Sequence, residues 1–195
     1  MVNEFRRYQR VAVFVDAQNV FYSVRHVFHN SRMNFKKLIH KAVNGRQLVR
    51  AVSYLVETPD ADQTSFREML EREGYELKIK PVKIRSDGSM KADWDMGIAI
   101  DAISMADKLD VVVLVSGDGD FVDMVNLLKS RGVVVEVISV KASTSEDLIR
   151  AANFYFPIEP ADLYPASNPR GVRSPVRRNP NSRPNPNPNP DVVSY

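Results

Sequence analysis

Val111-Val-Val-Leu-Val-Ser-Gly-Asp-Gly-Asp-Phe121 is the stretch whose reading decides the fold. Five consecutive apolar residues, four of them valine, have the pattern of a strand buried on both faces of a sheet. The run stops at Ser116-Gly117-Asp118-Gly119-Asp120, where two glycines permit a sharp turn with positive φ. Phe121, Val122, Val125 and Leu128 then recur on one helical stripe. Two carboxylates therefore stand in the turn between a buried strand and a helix. In a parallel sheet that is where ligands bind, outside the carboxyl ends of the strands. Acids so placed repel one another and need a cation or a proton.

The same grammar occurs upstream. Val11-Ala-Val-Phe-Val15 is a second apolar run ending in Asp16, and Ala17, Val20, Phe21, Val24, Val27 and Phe28 share one helical stripe. Asn19 lies off that stripe, within a turn of Asp16. Further along, the pattern predicts a helix over Phe35–Val43 capped by Asn34, and a strand over Gln47–Glu57. A helix over 61–73 ends at Gly74, and an extended segment covers 75–84. A turn at Ser86–Ser89 leads to a helix over Trp94–Lys108. A fifth strand over Val133–Val140 precedes a helix over Ser143–Ala152, capped by Ser143 or Thr144, and a short strand at Phe154–Ile158. This alternation predicts an α/β protein: a three-layer α/β/α Rossmann-like domain with a mainly parallel sheet of five or six strands and right-handed crossovers.

Composition sets limits. The chain has 195 residues, 44% of them hydrophobic, with no run long enough to cross a membrane. Met1–Arg10 is polar and basic rather than a signal peptide, and the absence of cysteine fits a cytoplasmic location. The net charge of +3 is uneven: residues 161–195 hold five arginines and two acids, which leaves 1–160 neutral. The expected organisation is an N-terminal segment (1–10), a globular domain (11–159) and a Pro/Asn/Arg-rich tail (160–195). Eight of the twelve prolines lie between Pro165 and Pro190, so the tail is expected to be disordered and partly polyproline II. It is either a solvated terminus or an arm that touches RNA or protein.

Asp16 and Asp118 follow strands that can be neighbours, and Asp95 can reach the same rim from the start of its helix. Two unit charges about 4 Å apart repel by roughly 4 kcal/mol at an effective dielectric near 20. A hard divalent cation removes that conflict, and Mg²⁺ takes carboxylate oxygens readily. Zinc is disfavoured by the lack of cysteine and the scattering of His26, His29 and His40. Each acid also has a structural reading: Asp16, Asp118 and Asp120 as helix caps, Asp93 rather than Asp95 as cap of the Trp94 helix, and Asp101 as a solvated helix residue. Lys78, Lys80, Lys83 and Arg85 are either phosphate contacts or a charged strand edge, and Trp94 either stacks on a base or packs on the sheet.

Three segments carry a resemblance: Phe14-Val-Asp-Ala-Gln-Asn-Val20, Lys91-Ala-Asp-Trp-Asp-Met-Gly-Ile-Ala-Ile-Asp101 and Leu114-Val-Ser-Gly-Asp-Gly-Asp-Phe121. Together they resemble the NYN domain, in its LabA-like branch within the PIN-like nuclease superfamily, over about Val11–Ile158. The resemblance implies a ribonuclease that hydrolyses RNA phosphodiester bonds with Mg²⁺ or Mn²⁺ in an acidic pocket. It implies Asp16, Asp95, Asp118 and Asp120 as metal-binding and catalytic acids, with Asn19, Ser116 and Lys91 in support. Lys91 stands four residues before Asp95 where three is common in the broader family, which leaves Asp93 as the competing ligand; the spacing from Asp95 to Asp101 favours Asp95. Single-stranded RNA is the implied substrate, and a homodimer is a further expectation. The rival reading is an RNA-binding or regulatory NYN module with little activity. Toprim-like chemistry, Asp-x-Asp phosphatases, dinucleotide binding and a receiver domain fit less well: Asp16 stands where Toprim needs glutamate, position 18 is glutamine, and no glycine-rich turn follows the first strand.

Overall fold

The computed structural model describes residues 4–57, 62–84, 90–91 and 93–164. A central sheet is built from β1 (Arg10–Asp16), β3 (Gln47–Glu57), β4 (Glu76–Pro81), β7 (Val111–Val115), β8 (Val134–Ser139) and β9 (Phe154–Pro157). All of its pairings are parallel, in the order β4-β3-β1-β7-β8-β9. Counted along the chain these strands run 3-2-1-4-5-6, so the strand order reverses between β1 and β7. That is the switch point at which open α/β sheets form a crevice.

The apolar runs are buried on both faces, as their composition requires. Val11, Val13 and Val15 join Val111, Val113 and Val115 in a core beneath α1 (Ala17–Val27), α2 (Phe35–Val43) and α3 (Thr64–Arg72). Ala12, Phe14, Val112 and Leu114 face the opposite core, beneath α4 (Asp95–Met105), α5 (Val122–Ser130) and α6 (Glu146–Ala151). The result is the expected α/β/α sandwich. Two small antiparallel pairs complete it: β2 (Arg32–Met33) with β10 (Leu163–Tyr164), and β5 (Lys83–Ile84) with β6 (Met90–Lys91). No helix among the described residues is long and apolar enough to cross a membrane.

Some boundaries differ from the sequence reading. Helix α3 begins at Thr64, and the turn expected at Ser86–Ser89 lies outside the described residues. Helix α6 begins at Glu146, not Ser143, because the Thr144 hydroxyl is engaged with Ser139 Oγ and Val140 O and cannot cap. Asn34 does cap α2, its side chain accepting the Lys37 N–H at 3.1 Å. The first residues of the segment read as tail carry structure: Pro160–Asp162 form a 3₁₀ turn, Leu163 is buried, and Lys41 bonds Asp162 at 2.6 Å. The conformation expected for the rest of the tail concerns 165–195, outside the described residues.

Candidate active site

The site lies at the carboxyl ends of β1 and β7. Val15 pairs with Val115, so the residues that follow, Asp16 and Ser116, emerge side by side at one rim. Asp16 is 8% exposed and caps α1, its Oδ1 accepting the Asn19 N–H at 3.0 Å. The Asn19 side chain in turn accepts the Gly117 N–H through Oδ1 at 3.0 Å. A chain of two hydrogen bonds thus ties the end of one strand to the end of the other. Asp118 accepts the Asp120 N–H at 3.0 Å, and the buried Ser116 hydroxyl accepts the Asp118 N–H at 3.3 Å. Asp16 and Asp118 are therefore helix caps as well as members of an acidic rim; the two readings do not compete.

Neither Gly117 nor Gly119 uses the positive φ that glycine permits; the described glycines that adopt it are Gly45, Gly74 and Gly132. The requirement at 117 and 119 is space. A Cβ on Gly117 would lie 2.7 Å from Ser143 O, and one on Gly119 would lie 2.9 Å from Ser145 Oγ. The acidic turn is pressed against the loop that leads into α6.

Asp95 enters from the first turn of α4. Oxygens of Asp95, Asp118 and Asp120 all lie within 4.8 Å of one another. The Asp16 carboxylate stands outside that trio but within its field. Burial pushes the Asp95 carboxyl up to about 6, and Asp118, Asp16, Asp93 and Asp120 push in the same direction. Burial also raises Asp16; the Asn19 N–H pulls it back and Asp118 raises it further. No ion pair joins Asp95, Asp118 or Asp120 to a lysine or arginine whose side chain is described, a set that leaves out Lys83 and Lys91. Three hard oxygen donors with no thiolate or imidazole suit Mg²⁺ or Mn²⁺ rather than zinc. The three carboxylates would have to draw in from this spacing to share one ion.

Other expectations resolve differently. Trp94 occupies the N-cap position of α4 with no side-chain cap, so Asp93 does not serve as the cap there. Trp94 packs: its Nε1–H donates to Leu55 O at 2.8 Å and its ring lies 5.3 Å from that of Tyr54. Asp101 is not a solvated residue. It accepts the Tyr54 hydroxyl at 2.5 Å and the Lys78 ammonium at 2.6 Å, and these bonds outweigh burial and hold its carboxyl below the usual range. Lys80 sits over the Trp94 ring at 4.4 Å. So Lys78 and Lys80 make internal contacts; Arg85 lies outside the described residues, and Lys91 pairs with Lys83 through its backbone in β6. Sequence reasoning missed Tyr54, which stands level with Asp16 in the β1–β3 register and with Lys78 in the β3–β4 register. The Asp101–Tyr54–Lys78 group braces α4, and hence Asp95, against the sheet.

A Rossmann-like sheet with an acidic pocket at its switch point defines a class, the PIN-like α/β/α domains. Within it, this chain belongs to the NYN domain family, whose sequence profile matches residues 10–159. It is 29% identical over 157 residues to the low amplitude and bright protein LabA of Synechococcus elongatus, covering 76% of this chain and 83% of that protein. Among solved structures it is similar to a protein of unknown function from Vibrio parahaemolyticus. That similarity has 35% identity and a TM-score of 0.76, over 84% of this chain and 100% of the other.

Proposed function

We propose that this protein is a metal-dependent ribonuclease that hydrolyses phosphodiester bonds of single-stranded RNA at the Asp16–Asp95–Asp118–Asp120 rim. The observation that carries the reading is the convergence of Asp95, Asp118 and Asp120 from two separate elements, with carboxylate oxygens within 4.8 Å of one another. The NYN family membership supports it. Asp95, Asp118 and Asp120 would hold Mg²⁺ or Mn²⁺, joined by Asp16 through the oxygen that does not accept from Asn19. When bound, such an ion supplies an activated water and charge stabilisation for the scissile phosphate. Asn19 keeps the Gly117 N–H, and with it the acidic turn, in register with β1. The buried Ser116 hydroxyl anchors the Asp118 backbone. Asp101, Tyr54 and Trp94 hold α4 so that Asp95 stays in the cluster despite the repulsion.

The test is cleavage of labelled single-stranded RNA by the full chain with Mn²⁺. The Asp118→Asn variant should lose about 100-fold or more in rate, roughly 2.7 kcal/mol of transition-state stabilisation, while its thermal melt stays cooperative. Unchanged cleavage by that variant rules out this site. Mn²⁺ binding without turnover in the wild type would favour the second reading, an RNA-binding or regulatory module. One observation supports that reading: Lys78 and Lys80, two of the cations read as phosphate contacts, are committed to Asp101 and Trp94.

A further inference from the structure

A separate cavity lies beside the acidic rim. It is a groove of about 650 Å³ on the α1–α2–α3 face, between α1 and α3. Phe21, Tyr22, Phe35, Phe66 and Met69 line it, and Tyr164 stands at its edge. Phe21 is 49% exposed and Tyr22 61% exposed, although Phe21 belongs to the apolar stripe of α1. Phe35 and Phe66 meet edge-on at 5.4 Å, as do Phe21 and Tyr22. Large aromatics held open around a concave surface mark a binding site rather than a packing fault.

The chain itself indicates what fits. Strand β10 ends at Tyr164, so the polypeptide leaves the described fold at the groove's edge, with 31 residues (165–195) still to come. Residues 165–190 contain eight prolines, five arginines and no acid, while 1–164 hold 22 basic and 23 acidic residues. Grooves lined by aromatic rings recognise proline-rich segments, whose extended form needs little further ordering. Asp62 lines the groove, and Ala17, another lining residue, adjoins Asp16 of the acidic rim. Arg32 also lines the groove and the Arg25 guanidinium lies 5.1 Å from the Phe21 ring, so charge favours neither sign of ligand and the apolar lining carries the contact.

We propose that this groove is the docking site of the chain's own proline-rich segment 165–190, with proline rings seated against Phe21, Tyr22 and Phe66. The proposal does not depend on the nuclease reading. It is tested on the full chain carrying p-benzoylphenylalanine in place of Tyr22, irradiated at low protein concentration and mapped by mass spectrometry. The expected product is an adduct within one chain between position 22 and a peptide from 165–190. Three results overturn it: an adduct that runs as a dimer, adducts confined to other segments, or capture of added single-stranded RNA in place of the tail. A second measurement leaves the groove untouched. Replacing the eight prolines of 165–190 by serine should speed amide exchange in Ala17–Val27 by about tenfold. Unchanged exchange there also overturns the proposal.

Discussion

Glu136 and the rim acids Asp95, Asp118 and Asp120 are the same chemistry in opposite surroundings. Glu136 lies on β8 beneath α2, facing Arg46 with side chains only 4% and 2% exposed. Both terminal guanidinium nitrogens reach it at 2.7 Å, and Arg46 also donates to the carbonyls of Ala42 and Val43. Every buried charge there is met by a charge or a carbonyl. At the rim three carboxylates crowd together with no such partner among the residues whose side chains are described. A fold that compensates one buried carboxylate so fully does not leave three others facing one another for want of means. The difference separates acids that hold the fold from acids kept for a ligand.

The largest effect expected from breaking this comparison is at the compensated end. Glu136→Ala leaves the Arg46 guanidinium buried without its carboxylate, which costs about 3–5 kcal/mol. The double variant Arg46→Met with Glu136→Leu should recover most of that loss. Urea denaturation of both chains measures it, and a single variant within about 0.5 kcal/mol of wild type would remove the contrast.

A smaller effect is expected at the rim, with the opposite sign. Without metal, neutralising one rim acid relieves repulsion, so Asp118→Asn should melt at or slightly above the wild-type temperature. With Mn²⁺ at 100 times its dissociation constant, wild type should gain about 2.7 kcal/mol and Asp118→Asn far less. Equal gains in both chains would mean that the ion binds elsewhere.

How far the molecule was legible in its sequence follows from the range of the forces involved. The paired strands of valine and the two strand-acid-helix units are local patterns, and they yielded the sheet, the switch point and the neighbouring positions of Asp16 and Asp118. Asp101 was misread because its partners, Tyr54 and Lys78, lie on two other strands and nothing near it in the chain marks them. Gly117 and Gly119 were assigned to the turn, but for a conformational reason; the true constraint is the loop at 143–145, which only the fold brings near. The exposed Phe21 followed its helical stripe on paper and departs from it because α3 leaves a groove there instead of closing over it.

The finest distinction between the two regions is in their response to protons. The Asp95 carboxyl is raised to about 6, first by burial and then by its acidic neighbours, from an unfolded value of about 3.9. Between those values the folded state holds a proton that the unfolded chain has released. The contribution of Asp95 is therefore favourable below about pH 4 and is lost as the pH rises through 6. Asp62, Asp101 and Asp110 are shifted downward and act in the other direction, so the total curve does not isolate the rim. The difference between wild type and Asp95→Asn does. In chelator, wild type should lose stability relative to the variant between pH 4 and 6, with a modest slope because the group is partly exposed. Mn²⁺ competes with the same proton, so its affinity should weaken as the pH falls through 6. Urea melts at intervals across this window, with and without the ion, read both effects. A flat difference curve would show that Asp95 does not share the field of Asp118 and Asp16, and the rim would then be three separate surface acids.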